Sequence, residues 1–431
     1  MRINTIIDYF MVLALIFISG NMLFTNRTMV FTVFALSTIL FFYRKIKFDT
    51  TFIYFLVALT VVFVLQMFKF DFFPLFTYAG VYARILLAYF ILKSVIDFPD
   101  KFVKVMYYLS IISFIFFIPI LLIPGFSDFL LNNFVWYAKI ASDIQARFNI
   151  LGLFTIVPGH EFRNAGPFWE MGAFSGYLML ALIISYLKKP ELNNKINIVL
   201  ILAILTAQSS TGYIALLLFL AFIFNREVKN MALKGILSFS MLFIGYLAYT
   251  NLDFLGEKIE MQFAEAEALI NTENLEGEST DRFASILKDW RDFQGHELIG
   301  RGFNKRTRFT TMYANEEDVT DIRTVGSTDI LVRLGLPLFL LMIFMMYQSF
   351  SKFSQYYWKN GDYMGISIVL IIMLLLTSET YFVHPLFWIT MMLHYTITEN
   401  KKSINIVNKK EIKKISKKEV KTENKFYNLN Y

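Results

Sequence analysis

The segment Phe162–Phe174 combines an acid, an aromatic ring and a base within a few residues. Glu170 directly follows Trp169 and lies seven residues after Arg163. A carboxylate held partly away from water can accept a proton from a hydroxyl group. An aromatic ring offers a flat face on which a sugar stacks. We therefore predict that Glu170 acts as a general base or accepts a sugar hydroxyl beside Trp169; the alternative is an anion that stabilises a helix N-terminus.

Arginines form the second group of candidates. Arg84 stands in the middle of the apolar string VYARILLAYF, where a charge is costly and by default marks function, although pairing inside a bundle is the alternative. Gly300 and Gly302 flank Arg301, so that backbone N–H groups and a guanidinium could meet one phosphate. Glu379 and His384, in TSETYFVHP, are weaker candidates; we expect His384 to be an interfacial histidine.

The chain offers little for metal or thiol chemistry. It contains no cysteine, and its four histidines are scattered. We therefore expect no metal site and no cofactor.

These residues must be positioned by membrane-spanning helices. The 431 residues are 56% hydrophobic and only 17% charged, and the apolar residues form blocks of the length that crosses a hydrocarbon core of ~30 Å. Ten lysines and three glutamates in residues 400–425 account for the net charge of +7, so we expect no nucleic-acid partner. Lysine and arginine after alternate apolar blocks predict that both termini are cytoplasmic. The sequence thus predicts an all-α polytopic membrane protein with about twelve transmembrane helices.

The predicted spans and loops divide the chain into six regions. Within 196–224, two short helices are expected to meet at the polar string 208–212. Irregular backbone at membrane depth is tolerated only against protein or a water-filled cavity, so the break is expected to line one of these. Helical spacing of apolar residues over 126–148 predicts an amphipathic helix lying in the interface. The spans are expected at 5–24, 28–43, 51–68, 72–93, 104–124, 166–187, 231–250, 326–348, 363–382 and 384–397. The regions are 1–124 (five spans), 125–165 (a periplasmic loop with the amphipathic helix), 166–250 (central spans with the broken pair), 251–325 (a large periplasmic loop), 326–397 (C-terminal spans) and 398–431 (a basic cytoplasmic tail).

The large loop separates its charges. Residues 253–281 hold nine carboxylates against the single cation Lys258, whereas cations outnumber acids over 282–308. A plain linker does not need this segregation. It favours a site that handles an anionic, sugar-bearing substrate.

Topology and several motifs resemble those of the O-antigen polymerase family, which is grouped with the O-antigen ligases. The most specific element is the string Phe168–Phe174, FWEMGAF, although the family usually has proline where this chain has Met171. Further matches are Ser209–Gly212, Gly300–Gly302, Gly335 and the spacing from Arg291 to Gly302. Ligases of this group are expected to carry a His-Asn pair before the span that follows the large loop, and the stretch Gly326–Asp329 has no histidine.

The resemblance implies a fold like that of the membrane-embedded (GT-C) glycosyltransferases and polymerisation of oligosaccharide units on undecaprenyl pyrophosphate at the bacterial inner membrane. It implies the lipid-linked oligosaccharide and the bilayer as partners, with a chain-length regulator and a flippase beside them. Alternatives are a ligase that transfers glycan to lipid A core, and a flippase. The expected catalytic residues are Glu170, Arg163 and Arg291, and the expected substrate-binding residues are Arg84, Arg282, Arg301, Gly302 and Trp169.

Overall fold

The protein is mostly helical, with a small antiparallel sheet. The computed structural model describes residues 3–140, 146–230, 282–307, 323–358 and 362–397. The predicted span 231–250, the acidic segment 253–281 and the basic tail 398–431 lie outside these residues. The helices are α1 (Ile3–Gly20), α2 (Arg27–Tyr43), α3 (Thr50–Phe70), α4 (Leu75–Ser94), α5 (Phe98–Leu122), α6 (Phe126–Asn133), α7 (Met171–Lys188), α8 (Lys195–Ala207), α9 (Ser210–Glu227), α10 (Arg282–Phe293), α11 (Gly326–Leu334), α12 (Leu336–Tyr357), α13 (Asp362–Leu376) and α14 (Pro385–Trp388).

Six of the described helices are long and apolar enough to cross a bilayer, namely α1, α3, α4, α5, α7 and α12. Shorter apolar helices include α2, α8 and the segment Met364–Leu376 of α13. A span needs about 20 predominantly apolar residues. The chain is therefore a multi-pass membrane protein, as its composition predicts.

Helix α7 forms the centre of the bundle. Its most apolar window is 83% buried, against 28% for α3. Small residues let neighbours approach it closely: a Cβ on Gly176 would overlap the Tyr381 hydroxyl group. That hydroxyl donates to the carbonyl of Gly172 at 2.9 Å. Close contact through small residues is a usual means of packing membrane helices, and here it fixes the first turn of α7 against residues 379–381.

The broken helix pair is present at the predicted polar string. Helix α8 ends where Gln208 adopts a left-handed conformation (φ 47°), and the Ser209 side chain accepts from the Gly212 N–H to begin α9. The segment before α7 covers this break, because Arg163 Nη2 donates to the Gln208 carbonyl at 2.8 Å. Asn164 Nδ2 also donates to Thr206 Oγ1 at 3.2 Å. The break therefore lies at the same end of the bundle as the start of α7.

The predicted amphipathic helix over 126–148 is wrong beyond Asn133. Helix α6 ends there, and the chain continues as β1 (Val135–Ile140), β2 (Ala146–Ile150) and β3 (Phe154–Ile156), which pair antiparallel in that order. The segment Val135–Tyr137 is rich in β-branched and aromatic residues, which favour strands. Ile150, Phe154 and Ile156 are buried in one cluster with Phe117 of α5 and Leu130 of α6. This packing stabilises the strands, although the spacing of the apolar residues in the sequence also fits a helix.

The C-terminal spans are less regular than predicted. The span expected over 326–348 is divided at Gly335 (φ 73°) into α11 and α12. Residues 384–397 form α14 and a 3₁₀ turn (Ile389–Met391) rather than a continuous helix, and most of them are buried. A second 3₁₀ turn, Tyr381–Val383, connects α13 to α14. Such backbone is tolerated at depth when other helices surround it.

Candidate functional site

A cavity of about 520 Å³ opens at the end of the bundle where α1 and α13 end and α7 begins. It is lined from several elements: the α1–α2 connection, the sheet, the segment before α7, the segment before α11 and the residues after α13. Its ionisable lining residues are Tyr137, Lys139, Arg147, Glu170, Arg323, Glu379 and His384. A concave site with converging polar groups is the usual form of a small-molecule binding site.

Two carboxyl groups meet in this cavity. Glu170 occupies the N-cap position of α7, although its side chain makes no capping hydrogen bond, and Glu379 follows the end of α13. A Cβ built on Gly172 would lie 3.1 Å from Glu379 Oε1 and 3.3 Å from Glu170 Oε1. The two side chains also share a hydrogen bond. One of the two groups must carry a proton for this bond to form, so the pair can both hold and accept a proton.

The pKa of Glu379, which lies in the non-helical segment outside the spanning helices, is raised well above its usual value. Burial is the largest cause, and the neighbouring charge and hydrogen bond of Glu170 act in the same direction. The positive charges of Arg282 and Arg147 oppose the shift. Two carboxylates in one site cannot both ionise easily. Of the two carboxyl groups, Glu379 is therefore the one whose surroundings favour its protonated form.

Cations of the sheet surround the pair. Arg147 on β2 donates from Nη2 to Glu170 Oε2 at 2.8 Å. Lys139 on β1 is its direct cross-strand partner, so both side chains lie on the face that lines the cavity. Like charges directly opposite each other destabilise a sheet, and Glu170 compensates only the charge of Arg147 among the contacts described for this pair. The arrangement suits a ligand with negative charge.

Trp169 supplies an aromatic wall. Its indole ring stacks on the His384 imidazole with centroids 4.7 Å apart and planes inclined by 28°. Its backbone N–H donates to the Gly20 carbonyl at 2.9 Å, which holds the residue against the end of α1. Both rings line the cavity. The cavity therefore combines a pair of carboxyl groups with an aromatic face.

The large loop reaches the cavity through Arg323. Its guanidinium is buried and binds Asp289 Oδ1 at 3.1 Å and Asp292 Oδ2 at 3.0 Å, both on α10. Asp289 Oδ2 also accepts from Thr328 Oγ1 at 2.5 Å. Buried charges are stable only when they are paired and hydrogen-bonded. This network fixes α10 to α11, and it places Arg282 close enough to Glu379 for its charge to act on the carboxyl pair.

The structure places Arg163 and Arg291 outside the lining of the cavity. Arg163 donates a hydrogen bond to the Gln208 carbonyl at the helix break. It is also close enough to Glu170 for the two charges to interact. Arg291 is exposed on α10. Among the described residues, these two arginines therefore do not contact Glu170 directly, although the sequence predicted that the three act together.

The predicted phosphate loop is a packing element. Arg301 is buried, and its Nε donates to the Asp292 carbonyl at 2.8 Å. Gly300 (φ 67°) would place a Cβ 2.5 Å from the Gly335 nitrogen, and Gly302 (φ 79°) would place one 2.8 Å from Gln66 Oε1. These glycines are needed for close approach to the backbone of α11 and to the side chains of α3. Neither they nor Arg301 line the cavity.

Arg84 lies in a second cavity, of about 470 Å³, which is lined in part by Phe382 and Val383. Its Nη1 donates to the Gly80 carbonyl at 3.1 Å. Arg27 and Arg333 line the same space. Neither of these two residues stood out in the sequence.

Sequence reasoning also missed Arg147 and Arg323, and it ranked Glu379 low. Arg147 lay in a segment predicted to be helical. Glu379 lies 209 residues from Glu170, and local sequence carries no sign of that meeting. The available signal was a glutamate five residues before His384 in an otherwise apolar region, where ionisable residues mark function.

Comparisons with protein-family profiles, with curated protein sequences and with solved structures find no match to this chain.

Proposed function

We propose that the chain is a membrane glycosyltransferase that polymerises lipid-linked oligosaccharide repeat units. The observation that carries the proposal is the carboxyl pair Glu170–Glu379 in a cavity of a multi-pass membrane protein, with cations on one side and the Trp169–His384 platform on the other. The sequence resemblance to O-antigen polymerases supports the same function. The proposal places the protein in the bacterial inner membrane, with both termini cytoplasmic and the cavity on the outer face.

The proposed reaction transfers a growing glycan from undecaprenyl pyrophosphate to a hydroxyl group of the next lipid-linked unit. The hydroxyl oxygen attacks the anomeric carbon, and its proton passes to Glu170. The bond from that carbon to the pyrophosphate oxygen breaks, and the electron pair leaves with the pyrophosphate. Glu379 holds the second proton of the site and orients Glu170. Fixed positive groups stabilise the leaving charge without reorganisation during the step.

Arg147 and Arg282 are the positioning cations in this scheme. Arg147 binds Glu170 directly, so it keeps the base ionised and aimed into the cavity. Arg282 approaches Glu379 from α10. A general base contributes about 10²- to 10⁴-fold to such a step.

The test is electrophoresis of surface glycan from a strain that lacks the gene, complemented with wild type, Glu170→Gln or Arg291→Ala. We expect the deletion to leave core capped by a single repeat unit, and Glu170→Gln to fail in restoring long chains. Arg291→Ala serves as the control, because this exposed arginine lines neither cavity, and it should restore them.

Two other outcomes would contradict the proposal. Core without any repeat, together with long chains on the lipid carrier, would identify a ligase. Loss of every unit on the outer face would identify a flippase.

A further inference from the structure

Helix α10 reverses the usual placement of polar and apolar side chains. Its buried face carries Ser285, Asp289 and Asp292, which are 2%, 0% and 0% exposed. Two large apolar residues point outward instead: Ile286 is 37% exposed and Trp290 is 58% exposed. A helix on the surface of a water-soluble protein turns its apolar stripe inward. The apolar residues of α10 therefore call for a partner outside the bundle.

Polar contacts fix the direction in which α10 faces. Arg323 pairs with Asp289 and Asp292. Ser285 Oγ accepts from the Thr324 N–H at 3.1 Å. A rotation of α10 that buried its apolar residues would separate these charges from their partners, which is strongly unfavourable for buried groups. The apolar residues are thus held on the outside.

The outward residues of α10 form two strips. Side chains advance by about 100° per residue around a helix, so Ile286 and Trp290, four residues apart, lie side by side and form an apolar strip. Arg291 is exposed and lies a further ~100° round the helix. Lys288 lies beyond it on the same flank. An apolar strip beside a basic strip is typical of a helix that lies in the plane of a membrane interface.

The lipid-facing side of α3 leads to this helix. The most apolar window of α3 is only 28% buried, and Phe68 near its end is 73% exposed. The next residue, Lys69, donates from Nζ to the carbonyl of Gly295 at 3.0 Å, two residues after the end of α10. The Phe70 ring stacks on His296 with centroids 5.3 Å apart. The end of α10 therefore lies where the lipid-facing side of α3 reaches the membrane surface.

We propose that α10 is an interfacial helix whose apolar strip, Ile286 and Trp290, inserts into the surface of the bilayer beside α3. Leu298, which is 73% exposed, inserts next to it. Tryptophan is enriched at this depth because its ring is amphipathic. The partner is the phospholipid surface itself. This inference goes beyond the proposed reaction and does not depend on it.

Insertion of the apolar strip also bears on the carboxyl cavity. Helix α10 begins at Arg282, whose positive charge acts on Glu379. The bilayer on one flank and Arg323 on another hold the helix in place. Contact with lipid therefore helps to set the position of Arg282 relative to the carboxyl pair.

The first test places nitroxide spin labels in the full-length protein in phospholipid nanodiscs. The chain has no cysteine, so Ile286→Cys and Trp290→Cys each give a single label. Phe68→Cys is the lipid-facing reference, and Arg291→Cys is the control on the other flank of α10. Oxygen, which dissolves in lipid, and a water-soluble nickel chelate report the surroundings of each label. We expect the labels at 286 and 290 to favour oxygen, at a depth of about 5–10 Å into the boundary of headgroups and acyl chains, and the label at 291 to favour nickel.

A second measurement uses the native side chain. The fluorescence of wild type minus that of Trp290→Phe isolates Trp290 from the other tryptophans. We expect this difference spectrum to be quenched more by phospholipids brominated near the headgroup than by those brominated near the end of the acyl chains. The same subtraction with Trp388→Phe, which removes a ring that is 1% exposed, should show little quenching. Thermal unfolding of each variant verifies that it is folded.

Two results would overturn this inference. A preference for nickel at 286 and 290 equal to that at 291 would show that the apolar strip meets water. Labels that neither agent reaches would show that protein covers the strip. The outcome is separable from that of the proposed function: lipid-inserted labels in a protein that does not polymerise glycan would remove the polymerase alone, and water-exposed labels in an active polymerase would remove the interfacial helix alone.

Discussion

Gly172→Ala tests whether the exact placement of the two carboxyl groups matters. The added Cβ would lie 3.1 Å from Glu379 Oε1 and 3.3 Å from Glu170 Oε1, so each group must move by a few tenths of an ångström. A displacement of ~1 Å at a reacting group costs about 10²-fold in rate. We therefore expect the rate of glycan transfer to fall about three- to tenfold. Stability should not fall, because alanine is favoured over glycine in a helix by up to about 1 kcal/mol.

The assay compares initial rates of chain extension by purified protein with thermal unfolding of the same samples. Gly365→Ala is the matched control: its Cβ would be equally crowded, at 3.0 Å from Ser351 and 3.1 Å from Tyr347, but it lies near the other end of α13. It should leave the rate unchanged. Full activity of Gly172→Ala, or an equal loss in both variants, would refute the argument that the carboxyl pair is the reacting site.

Three further predictions concern the site and its supports. Because burial and Glu170 raise the pKa of Glu379, infrared titration should show a protonated carboxyl group that persists above the pH at which an ordinary glutamate ionises; Glu379→Gln should abolish that signal, and its persistence would assign the proton elsewhere. Arg323→Ala should destabilise the protein by about 3–5 kcal/mol in denaturant unfolding, because it removes the buried cation that pairs with both Asp289 and Asp292, whereas Arg291→Ala should have almost no effect. Gly300→Ala should destabilise by more than about 1 kcal/mol, since its positive φ and the Gly335 backbone leave no room for a methyl group; a stable variant that loses only substrate binding would restore the phosphate-loop interpretation.

Local sequence patterns were sufficient to predict that the chain is a membrane protein and to predict part of the site. Apolar block length predicted the long helices, and the polar string at Gln208 predicted the broken pair. Trp169 and Glu170 lie side by side in the cavity because their segment leads directly into α7. These features depend on periodicity and on adjacent residues, which the sequence contains.

The remaining features depend on long-range contacts. Glu379 joins Glu170 only because α7 and the end of α13 meet, and Arg147 reaches it only because residues after Asn133 form strands. The Gly300–Gly302 segment was expected to bind phosphate, but its glycines are explained by close backbone packing on α11. Arg291 and Arg323 have the same side chain, and only tertiary structure shows that one is exposed and the other is buried between two aspartates.

The most direct test of the central claim is extension of a lipid-pyrophosphate-linked repeat unit by the purified protein in liposomes. Wild type should produce a ladder of glycans that differ by one repeat unit. Glu170→Gln should lower the rate by about 10²- to 10⁴-fold. The double variant Glu170→Gln/Glu379→Gln should be no slower than Glu170→Gln alone, because the effects of substituting residues that act as a unit do not add. If the double variant extended the glycan at the wild-type rate, the carboxyl pair would not be the group that catalyses the reaction.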